Sequence, residues 1–531
     1  MSWMWRGTRA AVAASLLALA GCGSDEEEKP WDGKVTPLAE TADWKDTGPY
    51  AACKVNTGTD PCSNSPASFN VSACRNSTLA ALEREGIYRL KMRYELPGNE
   101  VTPPYAAEGS GSLRFSGGTP DLVQGLPLVS WSGDPRLFSA TGRWVRDVGT
   151  ERLVTDYTLM GCAAPSPREL TGCFATCTNG QLDYVGTFHA ERMTWGRSEP
   201  ESSGGLKPVS ESYVELGSPV DIYVAKDHAY VVSINRYGET GGLTVFDVKD
   251  RAHPVFKTSI QFPGDSYWNG VWAKGDALYV ASADTGLLVF DISDPGNPVF
   301  LRSMPTGGPI DVHTVLVDGD RLYAMSPSPN RETLIFDVTT PRQPVLLTRH
   351  VLNVPGYPHD AFVFGDRLYV SHLQGGYQVL DVKDPAKVRN LGSYAFPGTM
   401  AHHSAVGRFG EHTLAFEGGE RMGAHLRVLK VDDPTNIVKV GEFSLRDVTS
   451  IHNILLVGTR LYIAWYHEGV RVLDVSNPTK PKQVAHFNTF HDTDPRSREG
   501  LYEGAIGIRV PGDGFVYVVD DVRGLLIFPE L

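Results

Sequence analysis

Cysteine is missing from the larger, C-terminal part of this 531-residue chain, because all seven cysteines lie before residue 180. The sequence also lacks a paired Cys-x-x-Cys motif, a nucleophile elbow and a phosphate-binding glycine loop, and helical periodicity is scarce in its first part. Positive charge is in deficit: the formal net charge is −13, which argues against non-specific nucleic-acid binding. What is abundant is glycine and proline, as many short strands joined by tight turns require.

A short motif recurs along the second part of the chain: an apolar run, then an acid, then a proline-rich turn. Its clearest copy is residues 287–298, LLVFDISDPGNP. The residue that follows the apolar pair marks each copy, and the markers are 44 to 55 residues apart. The markers are Asp247, Asp291, Asp337, Asp381, Lys430, Asp474 and Pro529. A repeat of this length built from short strands predicts a β-propeller.

The strand count predicts how the ring closes. The repeats contain seven second strands and seven third strands but only six fourth strands, because the chain stops after the last third strand. Residues 208–216 match the fourth strand over 254–262 in their opening Pro-Val and their length. Paired beside residues 525–528, they would join the two ends and remove the exposed sheet edges. The sequence therefore predicts a seven-bladed propeller over residues 208–531, closed by an N-terminal strand.

The repeated core, L-x-V-[FL]-D-V-x-[DN]-P, resembles the LVIVD repeat family of bacterial and archaeal surface proteins. The resemblance covers the region 208–531 and implies a cell-surface propeller, but no defined reaction. Lys430 and Pro529 replace the marker aspartate in two copies. This departure favours a structural role for the aspartate over a catalytic one.

The N-terminus has the features of an export signal. An apolar run over residues 10–20 follows two arginines and is too short to span a bilayer. The run ends in Leu-Ala-Gly-Cys at Cys22, which resembles the lipobox of bacterial lipoproteins. The resemblance implies that residues 1–21 are removed, that Cys22 is acylated, for example with palmitate, and that Gly23 favours sorting to the outer membrane. The alternative is an ordinary secretory signal. Residues 22–48 are expected to form a flexible tether.

Six cysteines remain once Cys22 is assigned to the lipid. They are Cys53, Cys62, Cys74, Cys162, Cys173 and Cys177. An even set in an exported domain predicts three disulfides, with the pairing left open. A zinc site is the alternative, but it lacks the usual paired spacing and would sit in an oxidising compartment. Residues 49–197 are therefore predicted to be a disulfide-stapled β-sandwich or small barrel, which a linker connects to the propeller.

Histidine recurs at one position of the innermost strands. Counting back ten residues from the second-strand tyrosine reaches His313, His359 and His452, and alignment of blade five places His402 in the same register. Because the innermost strands line the channel of a propeller, the four imidazoles are expected to converge near one mouth. Such a set suits Fe, Cu, Zn or Ni. Two alternatives stay open: structural histidines copied with the repeat, and histidines that contact a ligand directly.

A candidate binding face is formed by the polar residue that takes the histidine position in blade two, by polar residues next to the histidines, and by polar residues on the loops between second and third strands. They are Asn269, Asp360, His403, Asn453, His372, His467 and Glu468. An insertion over residues 488–504 lengthens the same face, and longer loops on one face usually mark the binding side of a repeat protein.

These observations favour a non-enzymatic function. We expect a lipid-anchored propeller, periplasmic or surface-facing, that binds a protein or a glycan as a binding or scaffolding module. One alternative is a metal-dependent, oxidoreductase-like enzyme that uses the histidine ring. A structural envelope protein is the third possibility. The fold alone does not decide between them, since propellers host many functions.

Overall fold

The computed structural model describes residues 30–531, except residues 57, 99–102, 133, 149–150, 194–199, 237 and 498–499. The predicted signal peptide and Cys22 lie outside the described residues. The described chain is all β apart from short 3-10 helices, and it forms a barrel followed by a propeller. Among the described residues, no helix combines the length and the apolar character needed to cross a membrane.

The N-terminal domain is a closed, antiparallel, eight-stranded barrel. The elements before it are β1 (Lys54–Val55), η1 (Pro66–Ser68), β2 (Phe69–Asn70) and η2 (Asn76–Ala81). The barrel strands are β3 (Gly86–Leu96), β4 (Tyr105–Ser116), β5 (Thr119–Val123), β6 (Leu126–Ser132), β7 (Ser139–Val148), β8 (Glu151–Ala163), β9 (Glu169–Thr178) and β10 (Gln181–Arg192). Alternate residues of β3, namely Tyr88, Leu90 and Met92, enter the core, as the two-residue period of a strand requires. Of the two predicted folds, the barrel is confirmed.

Three disulfides attach the segment before the barrel to its wall. The pairs are Cys53–Cys173, Cys62–Cys177 and Cys74–Cys162. They confirm the disulfide prediction and supply the pairing that the sequence left open. Their sequence separations of 88 to 120 residues close long loops, and cross-links of this kind stabilise mainly by restricting the unfolded chain.

The propeller has seven blades, and each is an antiparallel sheet whose strands follow one another from the channel outward. Blade one is β13 (Ser218–Ala225), β14 (His228–Ile234), β15 (Gly242–Asp247) and β16 (Val255–Ile260), and blade two is β17 (Trp268–Lys274), β18 (Ala277–Ser282), β19 (Gly286–Asp291) and β20 (Val299–Met304). Blade three is β21 (Thr314–Asp318), β22 (Arg321–Ser326), β23 (Glu332–Asp337) and β24 (Val345–Val351), and blade four is β25 (Asp360–Phe364), β26 (Arg367–Ser371), β27 (Tyr377–Asp381) and β28 (Arg389–Tyr394), with η3 (Pro385–Lys387). Blade five is β29 (Ala401–Phe409), β30 (His412–Gly419), β31 (Leu426–Lys430) and β32 (Val438–Phe443), with η4 (Pro434–Asn436). Blade six is β33 (Asn453–Val457), β34 (Arg460–Ala464), β35 (Val470–Asp474) and β36 (Lys482–Phe487), and blade seven begins with β37 (Ala505–Arg509), β38 (Phe515–Asp520) and β39 (Gly524–Pro529).

The ring closes as predicted. The fourth strand of blade seven is β12 (Ser210–Ser212), which pairs antiparallel with β39 so that Ser210 faces Ile527. A second short strand, β11 (Ser202–Ser203), pairs with the outer edge of blade six. The seven-bladed fold and its closure by an N-terminal strand are therefore confirmed.

The recurrent residues of the motif hold neighbouring blades together. The hydroxyl of Tyr230 donates to the carbonyl oxygen of Pro295 in the proline turn of the next blade at 3.0 Å, and Tyr279 donates to Pro341 at 2.7 Å. The marker aspartates cap their own turns, as where Asp291 accepts from the backbone N–H of Ser293 at 2.8 Å. This capping accords with a structural role for the aspartate.

Residues 30–48, which we call the strap, lie along the outside of blade five. Trp31 packs against the blade-five core, the backbone N–H of Leu38 donates to the carbonyl oxygen of Lys439 at 2.8 Å, and Arg427 donates to Asp43 at 2.8 Å. The part of the predicted tether that the structure describes is thus docked on the propeller. From the strap the chain enters the barrel.

The barrel sits over the loops of blades five and six. Ile87 and Met193 of the barrel domain form an apolar cluster with Val448 and Phe490 of the propeller. Beside it, Arg192 pairs with Asp492 of the 488–504 insertion, with Nε to Oδ2 at 3.1 Å. The insertion thus forms part of the contact between the two domains.

Candidate metal centre in the propeller channel

Each blade contributes one side chain to a ring at the mouth of the channel. The seven members are Val220, Asn269, His313, His359, His402, His452 and Ile506, and all of them line one cavity of about 370 Å³. Four members, Val220, Asn269, His402 and Ile506, sit at β-bulges in the innermost strands. A bulge re-aims a side chain locally, and here the bulged residues line the channel.

The four predicted histidines converge. Their ring centroids are 4.1 Å apart for His313 and His359, 4.2 Å for His359 and His402, and 4.7 Å for His402 and His452. Neighbouring imidazoles are therefore in contact around one side of the channel. The distances meet the spatial requirement for a shared ligand.

Backbone carbonyls fix the tautomers of two of these rings. Nδ1 of His402 lies 3.2 Å from the carbonyl oxygen of His452, and Nδ1 of His452 lies 2.8 Å from that of Ile506. A carbonyl oxygen only accepts, so each Nδ1 carries the hydrogen and each Nε2 keeps its lone pair. Metal-binding histidines are commonly oriented by such a hydrogen bond on the other ring nitrogen.

Glu420, on the loop between β30 and β31, faces these two lone pairs. Its Oε2 lies 3.5 Å from Nε2 of His402, and its Oε1 lies 3.9 Å from Nε2 of His452. The hydroxyl of Tyr466 donates to Oε1 at 2.5 Å. Burial raises the pKa of Glu420, although the nearby His452 and the Tyr466 hydrogen bond act in the opposite direction.

Two imidazole nitrogens at the centre are buried and have no hydrogen-bond partner in the described part of the chain: Nδ1 of His359 and Nε2 of His402. Ligand atoms of His359, His402 and Glu420 all lie within 4.8 Å of one another. Unpaired buried polar atoms are unfavourable and rare in native proteins. Imidazole nitrogens together with one carboxylate are a donor set that suits Fe, Zn, Cu or Ni, so these residues fit a transition-metal ion.

The channel environment keeps the imidazoles neutral. Burial is the main reason that the pKa of His313 falls to about 3 and those of His402 and His452 to about 4, and neighbouring imidazoles contribute to the lowering for His313 and His452. The pKa of His359 is also well below its ordinary value because of burial and of the four imidazoles near it, His313, His402, His452 and His403. Neutral imidazole is the form that binds metals.

Comparison with known families gives a match for two segments, residues 266–306 and 450–489, to the LVIVD repeat. The chain carries LVIVD repeats. The matched segments span the four strands of blade two and of blade six, so one LVIVD repeat corresponds to one blade. The predicted resemblance is confirmed, and the LVIVD propeller has the architecture of a binding or scaffolding module. No curated protein matches the chain.

His313 differs from the other histidines of the LVIVD propeller. The side-chain amide of Asn269 lies 3.1 Å from its Nε2 and 3.2 Å from its backbone carbonyl oxygen. Donation by the amide to Nε2 occupies that lone pair. His313 and Asn269 therefore form a hydrogen-bonded pair at the edge of the histidine ring.

Four residues of the predicted binding face lie inside the channel. Asn269, Asp360, His403 and Asn453 line a second cavity of about 250 Å³, which shares His359, His402 and His452 with the first. The backbone N–H of Ile454 donates to Nδ1 of His403 at 3.2 Å, which leaves a hydrogen on Nε2, 3.7 Å from Asp360. Burial raises the pKa of Asp360 to about 8.

The other three predicted binding residues of the LVIVD propeller lie outside both channel cavities. His372, His467 and Glu468 are each only 1% exposed. His467 packs against Phe490 at a centroid distance of 4.3 Å, and Glu468 accepts from Arg446 at 2.6 Å. Their burial in these contacts separates them from the solvent-facing surface that the loop positions suggested.

Sequence reasoning missed the roles of several residues at the channel mouth. It did not link Glu420 or Tyr466 to the histidines. Tyr267, Tyr357 and Tyr502 also line the cavity of about 370 Å³ at the channel mouth. No periodic signal marks them, because they come from loops of different length.

Proposed function

We propose that this protein is a lipid-anchored envelope protein whose LVIVD propeller binds a transition-metal ion in its channel. The observation that carries the proposal is the approach of His359, His402 and Glu420 to within 4.8 Å, with two of the imidazole nitrogens buried and unpartnered among the described residues. A metal ion would satisfy these nitrogens and the partly buried carboxylate of Glu420 together.

The ligands we propose are His359, His402 and Glu420, with His452 beside them. The backbone carbonyls that accept from His402 and His452 would act as outer-shell partners that orient the rings. His313 would remain with Asn269 rather than bind the ion. The ion would be Fe, Cu, Zn or Ni, because its ligands combine imidazole with a carboxylate.

The proposed cellular location is the outer membrane. The Leu-Ala-Gly-Cys sequence ending at Cys22 supports acylation of that cysteine, and the three disulfides fit an oxidising compartment. In this setting the loop face would bind a protein or a glycan while the metal ion stabilises the ring of blades beneath it. Replacement of Cys22 by Ser should release the protein from the membrane fraction, and release of the wild type as well would contradict the anchor.

A metal-dependent enzyme of oxidoreductase type is the second candidate. The observation in its favour is the cavity of about 370 Å³ between the histidine ring and the loops, which has room for a small molecule beside the proposed ion. Tyr466 and Glu420 face this cavity and could exchange a proton there.

The test is metal analysis of the purified protein after dialysis. The wild type should retain close to one equivalent of a transition metal, and His402→Ala should lose it. His253→Ala is the matched control, since that side chain is 82% exposed on blade one, and it should retain the metal. A folded wild-type protein that binds none of Fe, Cu, Zn or Ni, even after each ion is added back, would contradict the proposal.

A further inference from the structure

One end of the N-terminal barrel contains a cup of about 720 Å³, which we call the barrel cup. Its lining comes from β3, β4, β7, β8, β9 and β10. The volume lies within the roughly 300–1,000 Å³ typical of small-molecule sites. The barrel cup is separate from the channel of the propeller, and the proposed metal centre makes no use of it.

Aromatic rings line the barrel cup at several depths. Tyr94 and Tyr157 pack against the barrel core, and Tyr184 meets Tyr94 edge-on at a centroid distance of 5.6 Å. Gly109 makes room for the Tyr94 ring, because a Cβ atom there would lie 2.2 Å from its Cε2. At the rim Trp144 is 41% exposed. The rings are thus held by packing and by the backbone before any ligand arrives.

Hydroxyl groups lie between these rings. Thr178 donates to Asp183 at 2.7 Å and accepts from Thr155, whose Oγ1 is 2.9 Å away. Thr176 is only 5% exposed. Within the described ranges, the side-chain hydroxyls of Thr176, Tyr157 and Tyr184 have no hydrogen-bond partner, although all three residues line the barrel cup.

This order of groups indicates the chemistry of the ligand. A site for an acyl chain would be apolar at depth and polar at its rim. The barrel cup differs from such a site, because the hydroxyls of Thr155 and Thr176 are buried among its rings and the exposed Trp144 stands beside Arg146 and Asp183. Flat rings that alternate with hydroxyl and carboxylate groups suit a sugar, which has apolar C–H faces and an edge of hydroxyls.

We propose that the barrel cup binds a carbohydrate. Tyr184 and Trp144 would contact the C–H faces of the pyranose rings. The free hydroxyls of Thr176 and Tyr157, together with Asp183, would exchange hydrogen bonds with the sugar hydroxyls. Arg146, whose guanidinium carbon is 4.7 Å from the Trp144 ring centroid, would close one side of the site.

The test is isothermal titration calorimetry on the purified protein with its disulfides intact. The probes are maltotriose, cellotriose and chitotriose, with decanoic acid as the acyl probe. At least one trisaccharide should bind with a Kd below about 1 mM. Trp144→Ala and Thr176→Val should each weaken it at least about tenfold, since each removes one kind of contact. Trp131→Ala, an exposed tryptophan on β6 outside the barrel cup, should have no effect.

Three outcomes would overturn the proposal: no binding of any trisaccharide, binding of decanoic acid alone, or saccharide binding that neither variant changes. Thr176→Val keeps the shape of the side chain and removes only the hydroxyl. It therefore remains decisive if Trp144→Ala folds poorly. Because none of these measurements involves the channel, their failure would leave the metal proposal untouched.

Discussion

His402 and Glu420 face each other across 3.5 Å, from Nε2 to Oε2, and both belong to blade five. The histidine lies at the start of the innermost strand, whereas the glutamate lies on the loop after the second strand. One blade thus supplies both a nitrogen and an oxygen donor. The neighbouring blades four and six add His359 and His452.

This relationship makes Glu420→Gln the most direct test of the carboxylate. The amide keeps the size of the side chain but loses its charge and one acceptor oxygen. We expect metal affinity, measured by competition with a chromophoric chelator, to fall at least about tenfold. Glu239→Gln, an exposed loop acid on blade one, should leave the affinity unchanged. Equal affinities for Glu420→Gln and the wild type would exclude the carboxylate as a ligand.

Closure of the ring can be tested by truncation. A chain that starts at residue 217 lacks β12, together with Val214 and Leu216, which are buried at 3% and 8% exposure. A chain that starts at residue 207 keeps them. The loss of two buried aliphatic side chains should lower the free energy of unfolding by about 3–6 kcal/mol. Identical thermal melting of the two chains would show that β12 does not close the ring.

The disulfides should stabilise only the barrel domain. Thiol titration of the unfolded, unreduced protein should detect none of the six paired cysteines. After reduction, the barrel should become sensitive to protease, because its unfolded state gains conformational freedom worth about 2–5 kcal/mol per bridge. The cysteine-free propeller should resist digestion. Equal sensitivity of the two domains would contradict this assignment.

Acid should weaken the docking of the strap on blade five, because it protonates the carboxylate of Asp43. Burial disfavours its charge, but the hydrogen bonds and charges of His425 and Arg427 outweigh burial and lower its pKa below 3.8. A carboxyl with a lowered folded-state pKa stabilises the fold fully above its unfolded pKa and loses that contribution as the pH falls through the folded value. Hydrogen exchange of the Leu38 amide, measured at decreasing pH and corrected for intrinsic rates, should therefore report weaker strap protection below about pH 4.

The same contact predicts the effect of a substitution. Asp43 and Arg427 pair at 2.8 Å, and each side chain is only 1% exposed. Asp43→Ala leaves a buried guanidinium short of one partner, which should cost about 3–5 kcal/mol in the free energy of unfolding. Asp32→Ala, on the exposed start of the strap, is the control, and it should change stability by less than about 0.5 kcal/mol. A stable Asp43→Ala protein would mean that other contacts hold the strap.

The propeller was predictable because each blade repeats its own signals. The second-strand tyrosine contacts the proline turn of the next blade, about one and a half repeats further along the chain, and this contact recurs, as for Tyr230 with Pro295 and Tyr279 with Pro341. The closing strand was predicted from the strand count, which left one blade without a fourth strand. The histidine register followed from the fixed spacing between an innermost strand and the tyrosine beside it.

The features of the site that could not be predicted depend on contacts that do not recur from blade to blade. In blade seven the ten-residue count from Tyr517 reaches Gly507, but a bulge between Ala505 and Gly507 puts Ile506 into the channel ring instead. Glu420 reaches the histidines from a loop of irregular length. The cysteine pairing likewise depended on which barrel strands the N-terminal segment covers.

The course of the strap gives the molecule an orientation. Trp31 lies near His412, where the turn between β29 and β30 ends, whereas Asp43 lies beside Gly423 on the loop that carries Glu420. The strap therefore runs the full height of blade five, from the face opposite the histidine ring to the face beneath the barrel. From Cys22 to Pro30 the chain can reach at most about 28 Å. If Cys22 is acylated, so short a connection would hold the propeller face opposite the histidine ring close to the lipid. The channel mouth, with the barrel above it, would then point away from the membrane.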